Sequence, residues 1–198
     1  MRRPGIALRL LIVLVLQAAA LGWMVMDRAD LLRTGTEVTL AVVPVDPRDL
    51  FRGDYVQLDY DITTLRPAVV GGDADFSTND TIWVVLDTNL AGPARPAGVF
   101  RHRPPALPDR VAIRGRVMSV YDGSPPIDDP EGCPSPCRTL RVSYGIEQYF
   151  VPEGEGRNIE NLRDDSRVSV VVAVDGNGRA AIKKLLIDGV ERYTEPLF

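Results

Sequence analysis

The sequence predicts a mainly β (α+β) protein, with an N-terminal transmembrane helix followed by an antiparallel β-rich exported domain with few short helices. The first observation is an uncharged apolar stretch at residues 10–26. The second is a series of short runs after residue 36 in which apolar residues alternate with polar ones, as in half-buried strands. The third is Asp-Gly-Asn-Gly at residues 175–178, a strong hairpin signal between two such runs.

Residues 10–26 form the predicted transmembrane signal-anchor, after a cytoplasmic stub at residues 1–9. A span needs about 17–25 apolar residues, so the stretch is short, although Arg9 can lengthen it by snorkelling. Arg2, Arg3 and Arg9 all precede the span. The positive-inside rule therefore places the N-terminus in the cytoplasm and the body on the periplasmic or extracytoplasmic side.

A cleaved secretory peptide is the alternative interpretation of this segment. The three alanines at residues 18–20 resemble a cleavage site. The apolar run continues beyond them to Met26, which favours an uncleaved anchor. Both interpretations export the body of the protein.

The body of the protein is acidic, which limits its partners. The chain has 27 acidic and 23 basic residues, and three of the basic residues precede the span, which leaves a balance of −7 for the body. The basic residues of the body are scattered. This distribution argues against nucleic acid and against anionic lipid surfaces as partners.

The chain after the span is expected to contain a helical extension and then one domain. Residues 27–35 continue the helix, with Gly35 as a C-terminal cap. Residues 36–198 form the exported domain. We expect strands at residues 36–45, 54–62, 81–87, 110–121, 138–144, 166–174 and 180–187, with a weak edge strand near Val99. The strand at 81–87 is nearly all apolar, which predicts a central position.

The most distinctive segment is residues 46–62, for which we predict a short helical turn leading into a strand. Asp46 and Pro47 suit the start of the turn, and Gly53 suits its left-handed end. In the strand that follows, Leu58 and Tyr60 share the face that points to the core.

The residues of this segment that folding leaves unexplained are candidates for binding. Arg52, Asp54 and Tyr55 lie at the mouth of the predicted strand. Glu147 and Glu153 lie in a second, glycine-rich turn region. These five residues are the candidates for a binding site, and the alternative interpretation is that the acidic residues only cap their turns and keep them soluble.

No catalytic residue, metal or cofactor is predicted. His102 is the only histidine, and neighbouring arginines and prolines indicate an exposed loop. The alternative is a cell-envelope hydrolase or transferase that uses carboxylates, with Asp54 and Glu147 as the pair. A signal-peptidase-like Ser–Lys site is disfavoured, because the only lysines are Lys183 and Lys184 and no serine precedes Ser77.

Cys133 and Cys137 are the only cysteines and are expected to form a disulfide outside the cytoplasm. The closed loop is short, so its stabilisation is modest. Free thiols are the alternative.

Several segments resemble one bacterial family. Residues 53–60 read Gly-Asp-Tyr-x-x-Leu-x-Tyr, and residues 45–52, 144–156 and 170–182 carry further similar motifs. The chain resembles the GDYXXLXY family over most of residues 45–189. The resemblance implies one N-terminal span in the bacterial inner membrane, an exported domain and a multi-span membrane protein as partner. It supplies no catalytic residues.

Overall fold

The computed structural model describes residues 5–43, 55–89, 92–123, 132–150 and 167–195. This part of the chain consists of a long N-terminal helix, two five-stranded sheets, a two-stranded ladder and one short helix. All the ladders between named strands are antiparallel. The predicted mainly β class is therefore confirmed.

The elements have the following bounds in chain order. The helices are α1 (Ile6–Thr34) and α2 (Pro67–Val70). The strands are β1 (Thr36–Val43), β2 (Tyr55–Gln57), β3 (Asp59–Tyr60), β4 (Thr64–Leu65), β5 (Thr81–Asp87), β6 (Arg95–Phe100), β7 (Arg110–Gly123), β8 (Cys137–Ser143), β9 (Gln148–Phe150), β10 (Val168–Val174), β11 (Ala180–Ile187) and β12 (Val190–Thr194).

Helix α1 joins the predicted span and the predicted extension without a break. It is the one described helix that is long and apolar enough to cross a membrane, with a mean hydropathy of 2.1 in its most apolar window. The helix ends at Thr34 as expected, but Gly35 is extended (φ −63°, ψ 146°) rather than left-handed. Glycine is required there by space, because a Cβ atom would lie 2.6 Å from the carbonyl oxygen of Leu31 and 3.0 Å from Ala173 Cβ.

The first sheet has the strand order β12-β11-β10-β1-β3. Its β10–β11 hairpin turns at the predicted Asp-Gly-Asn-Gly sequence, where Gly178 N donates to Asp175 O at 2.9 Å. Strand β12 was not predicted from the sequence. It follows β11 through Asp188 and Gly189, both of which have positive φ angles.

The second sheet has the order β4-β8-β7-β5-β6, and its two edges are joined by α2 and the residues that follow it. Val99 N of β6 donates to Gly71 O, and Asp73 N donates to Val99 O. Glycine is required at residue 72, since a Cβ atom there would lie 2.1 Å from Val99 O. The sheet thus has a barrel-like closure. Strand β5 is internal as predicted, although β7 is the middle strand.

The inner faces of the two sheets share one hydrophobic core. Alternate residues of β1 point into this core, as their spacing predicts. Its members include Val38, Leu40 and Val172 from the first sheet, and Ile82, Ile113 and Leu140 from the second.

The single strand predicted for residues 54–62 is wrong in one respect, because the chain divides it between two partners. Strand β2 pairs with β9, whereas β3 pairs with β1. Between them, Leu58 N donates to Glu147 O at 2.9 Å, outside both ladders. The helical turn predicted at residues 46–53, with Asp46, Pro47 and Gly53, lies outside the described residues.

Candidate functional site

The two-stranded ladder brings together the two segments from which the binding residues were predicted. Tyr55 pairs with Phe150, and Gln57 pairs with Gln148. The chain then continues into the core through Leu58, which is 1% exposed. Two segments that are about ninety residues apart in sequence are thus adjacent in space, which the sequence alone could not show.

Two buried tyrosines, Tyr60 and Tyr144, hold these segments together and are called the tyrosine pair below. Tyr60 OH donates to Ile146 O at 2.6 Å, and Tyr144 OH donates to Ile62 O at 2.6 Å. Each segment therefore supplies one hydroxyl and one backbone acceptor to the other. Buried polar groups require such partners, so the arrangement fixes the position of one segment against the other.

Two neighbouring residues position the tyrosine pair: Gly115 leaves space for the ring of Tyr144, and Thr63 binds the backbone of Tyr60. A Cβ atom at Gly115 would lie 2.9 Å from Tyr144 Cε1 and 2.5 Å from Val142 Cγ1, so only glycine lets the ring approach β7. Thr63 is 3% exposed, and its hydroxyl accepts a hydrogen bond from Tyr60 N at 3.1 Å. Gly115 is thus a point of close approach within a regular part of β7, and the bulge of this strand lies between Val117 and Ser119.

The Glu147 carboxylate closes the turn beside Tyr144. Its two oxygens accept hydrogen bonds from Tyr144 N at 2.5 Å and from Gly145 N at 3.0 Å. Gly145 has a φ of +78°, a conformation that glycine adopts readily. Glu147 therefore stabilises the local backbone, in the manner of a charged turn cap.

Burial and the charge of Glu147 together keep the tyrosine pair protonated. Burial raises the pKa of Tyr60 well above its usual value near 10, and the negative charges of Glu147 and Asp59 add to this effect. Burial likewise raises the pKa of Tyr144 well above 10, with Glu147 contributing. Both hydroxyls are therefore donors throughout the physiological pH range.

The binding role of the five candidate residues stays a prediction. Arg52, Asp54 and Glu153 lie outside the described residues, and so does the motif glycine Gly53. The backbone of Tyr55 is placed by the ladder. The carboxylate pair of the hydrolase alternative also stays a prediction, since it requires Asp54.

The described residues carry few features of a catalytic or metal site. No group of three or more His, Cys, Asp or Glu side chains in this part of the chain is arranged to hold a metal ion. His102 lies in an exposed bend between Arg101 and Arg103. Cys133 and Cys137 form the predicted disulfide.

A contact that the sequence did not reveal joins the end of α1 to the outer face of the first sheet. Leu31 and Leu32 are 5% and 3% exposed, and they pack with Ala181 of β11. Arg179 donates to both carboxylate oxygens of Asp27, at 2.6 and 3.0 Å, and its Nε donates to Asp175 at 2.7 Å.

This contact is called the helix–sheet joint and consists of Asp27, Leu31, Leu32, Arg179 and Ala181. The hydrogen bonds that Arg179 donates to Asp27 lower the pKa of this carboxyl below its usual value. The hydrogen bonds that Arg179 donates to Asp27 and Asp175 raise its own pKa. One sequence signal was available, since Asp27 directly follows the apolar stretch. Its pairing with a residue 152 positions away could not be deduced.

The chain was compared with protein families, curated proteins and solved structures. No match was found among curated proteins or among solved structures. The model of the GDYXXLXY protein family matches residues 17–185. This match covers most of the chain, from the apolar helix through β10 and most of β11, and it includes the ladder and the tyrosine pair. The chain belongs to the GDYXXLXY family.

Proposed function

We propose that this protein is a non-catalytic, single-span accessory or binding subunit of a multi-span membrane protein. In this proposal it resides in the bacterial cytoplasmic membrane with its body on the periplasmic side. The observation that carries the proposal is the helix–sheet joint.

The helix–sheet joint holds the domain more rigidly than membrane anchoring alone requires. A flexible linker after the span would suffice to hold a domain at a membrane. Here the helix continues past Met26 for two further turns and packs Leu31 and Leu32 against the sheet. At Gly35 the backbone packs closely against Leu31 and Ala173, so α1 and β1 are joined without a flexible linker. A domain held in this way keeps one orientation relative to its span, which suits docking against a partner in the same membrane.

The proposed topology, with the body of the protein outside the cytoplasm, is supported by the distribution of charge and by the disulfide. Arg2, Arg3 and Arg9 precede the apolar stretch, which favours a cytoplasmic N-terminus. The bond between Cys133 and Cys137 suits the oxidising periplasm.

The first experiment tests the topology and retention of the span. A C-terminal alkaline phosphatase fusion should be active, because that enzyme folds only outside the cytoplasm, and the fusion should resist carbonate extraction. An inactive fusion would refute the orientation. Release by carbonate would refute the uncleaved anchor.

The second experiment tests the partner. The tagged full chain, purified in mild detergent after cross-linking in the membrane, should bring down one reproducible multi-span protein. A Gly-Ser-Gly-Ser insertion directly after Gly35 should abolish this capture, because it frees the domain from the helix. The same insertion in the exposed Asp188–Gly189 turn is the matched control. Absence of a reproducible partner, or equal capture by both insertion variants, would contradict the proposal.

A further inference from the structure

A cavity of about 320 Å³ lies at the seam of the second sheet, between β4 and α2 on one side and the start of β6 on the other. The hydrogen bonds that close the seam involve Val99, whereas the cavity lies beside Pro96, nearer the start of β6. None of the described residues that line it belongs to α1 or to the helix–sheet joint. Cavities of this size in the open part of a barrel-like sheet are common ligand sites.

Two opposite charges line this cavity without pairing with each other. They are the carboxylate of Asp61, an exposed residue at the mouth of the cavity, and the guanidinium of Arg95. Within the part of the chain that the structure describes, neither side chain forms an ion pair or a hydrogen bond. Asp87 is opposite Arg95 in the ladder, but its carboxylate accepts a hydrogen bond from Asn89 N instead.

The surroundings of Asp61 remove part of the water from its carboxylate. This desolvation raises the pKa of the Asp61 carboxyl, and the positive charge of Arg95 offsets only part of the rise. A carboxylate that has lost water and gained no hydrogen bond is less stable than one in bulk solvent. A ligand that brings a hydrogen-bond donor of positive charge would restore what this group has lost.

The segment of the tyrosine pair holds Asp61 in place. Asp61 lies in a turn in which Thr63 N donates to Tyr60 O at 2.8 Å. Tyr60 N donates to Thr63 Oγ1, and Ile62 O accepts from Tyr144 OH at 2.6 Å. The neighbours Tyr60 and Ile62 are each 1% exposed. Packing and hydrogen bonds thus fix the backbone that carries the carboxylate, which reduces the entropy lost when a ligand binds.

The wall formed by β4 and α2 is partly apolar and also carries positive charge. Val69 and Val70 of α2 are half-buried and line the cavity, as does the half-buried Pro96 opposite them. Arg66 lines the same cavity and adds a second guanidinium to that of Arg95. The lining therefore suits a ligand with a carboxylate for the arginines, a cationic group for Asp61 and an apolar part between the valines and the proline.

We propose that this cavity binds a zwitterionic α-amino acid with an apolar side chain. Arg95 binds the carboxylate, and Asp61 binds the ammonium group. Val69, Val70 and Pro96 contact the apolar side chain. A ligand with both charges pairs both protein groups through charge-assisted hydrogen bonds, whereas a ligand of one sign leaves one of them without a partner. This inference goes beyond the proposed accessory role and does not depend on the multi-span partner.

The experiment is isothermal titration calorimetry of the full chain in mild detergent, with L-leucine as the probe. Two analogues of leucine each lack one charge: 4-methylpentanoate has no ammonium group, and 3-methylbutylamine has no carboxylate. We expect saturable binding of leucine at millimolar concentrations and binding of each analogue that is weaker by about tenfold or more. Absence of saturable leucine binding would overturn the site. Equal affinities for leucine and either analogue would overturn the pairing of both charges.

Substitutions at the two charged residues assign each charge to its partner. Asp61→Asn should weaken leucine binding and remove the preference for leucine over 4-methylpentanoate. Arg95→Gln should remove the preference for leucine over 3-methylbutylamine. Asp75→Asn and Arg116→Gln are the matched controls, because both residues are exposed and neither lines the cavity.

Circular dichroism and the urea midpoint show whether each variant is folded. The analogue comparison uses the wild-type chain, so it tests the site even where a variant is unstable. Unchanged leucine affinity in folded Asp61→Asn or Arg95→Gln protein would overturn the role of that residue. An equal loss of affinity in the control variants would overturn the assignment of the site to this cavity.

Discussion

Removing the hydroxyls of the tyrosine pair should destabilise the domain far more than the loss of two oxygen atoms suggests. Tyr60→Phe leaves Ile146 O without its donor, and Tyr144→Phe does the same for Ile62 O. Both rings are buried, at 1% and 7% exposure, so water cannot easily replace the donor. A buried group left without a partner costs about 1–3 kcal/mol. Each substitution thus removes a large part of a total stability of about 5–15 kcal/mol.

The assay is urea unfolding of the detergent-solubilised full chain, followed by circular dichroism of the β-sheet. Tyr121→Phe is the matched control, because Tyr121 is 51% exposed, and its variant should lie within about 0.5 kcal/mol of wild type. The double variant should cost less than the sum of the single ones, since both hydroxyls hold the same two segments. The reasoning is refuted if the buried variants unfold at the urea concentration of the Tyr121→Phe control.

The same pair predicts how stability depends on alkaline pH. The folded-state pKa values of Tyr60 and Tyr144 lie well above 10, whereas those of the unfolded chain lie near 10. Their contribution is therefore fully present below pH 10 and is lost as the pH rises toward the folded-state values. Above pH 10 the free energy of unfolding should fall by about 1.4 kcal/mol per pH unit for each tyrosine. The Phe variants should show a shallower decline, and an equal slope in all variants would contradict this assignment.

Three further variants test the turn, the joint and the disulfide. Glu147→Gln should cost about 1–3 kcal/mol, because an amide offers one acceptor where the carboxylate serves the N–H groups of residues 144 and 145; an unchanged urea midpoint would contradict that role. Gly35→Ala should lower stability by about 1–3 kcal/mol, since its Cβ would meet Leu31 O at 2.6 Å. Its control, Gly123→Ala, has open space and should be near neutral. Replacing both Cys133 and Cys137 with serine should cost about 2 kcal/mol, the entropy expected of a five-residue loop, and a larger loss would indicate that the bond also shapes the fold.

The strand pattern was predicted well from the sequence where alternation and turn residues agree. Strands β7, β8, β10 and β11 lie close to their predicted positions, and the β10–β11 hairpin turns at the predicted glycines. The prediction failed at β2 and β3, where one alternating run was expected to be one strand. Alternation reports which side chains are buried, and it does not report which strand lies alongside.

The candidate site shows the same limit. The burial of Leu58 and Tyr60 was correctly predicted from their spacing in one run. Their partners in the 144–150 segment could not be predicted, because hydrogen bonds between distant segments leave no trace in local sequence. Glu147 was singled out as a charged residue in a turn, yet its contacts with Tyr144 and Gly145 depend on how that turn closes.

By itself, the sequence determined an apolar N-terminal helix, a mainly β body and membership of one family. These properties follow from hydrophobicity, periodicity and motif spacing, which are local. Only the tertiary structure decided that Tyr60 and Tyr144 bind each other's segments, and that Arg179 joins the hairpin turn to Asp27. The physical reason is that folding brings together groups that are 82 to 152 residues apart in the chain. Their hydrogen bonds and charge interactions are stronger where the surroundings exclude water.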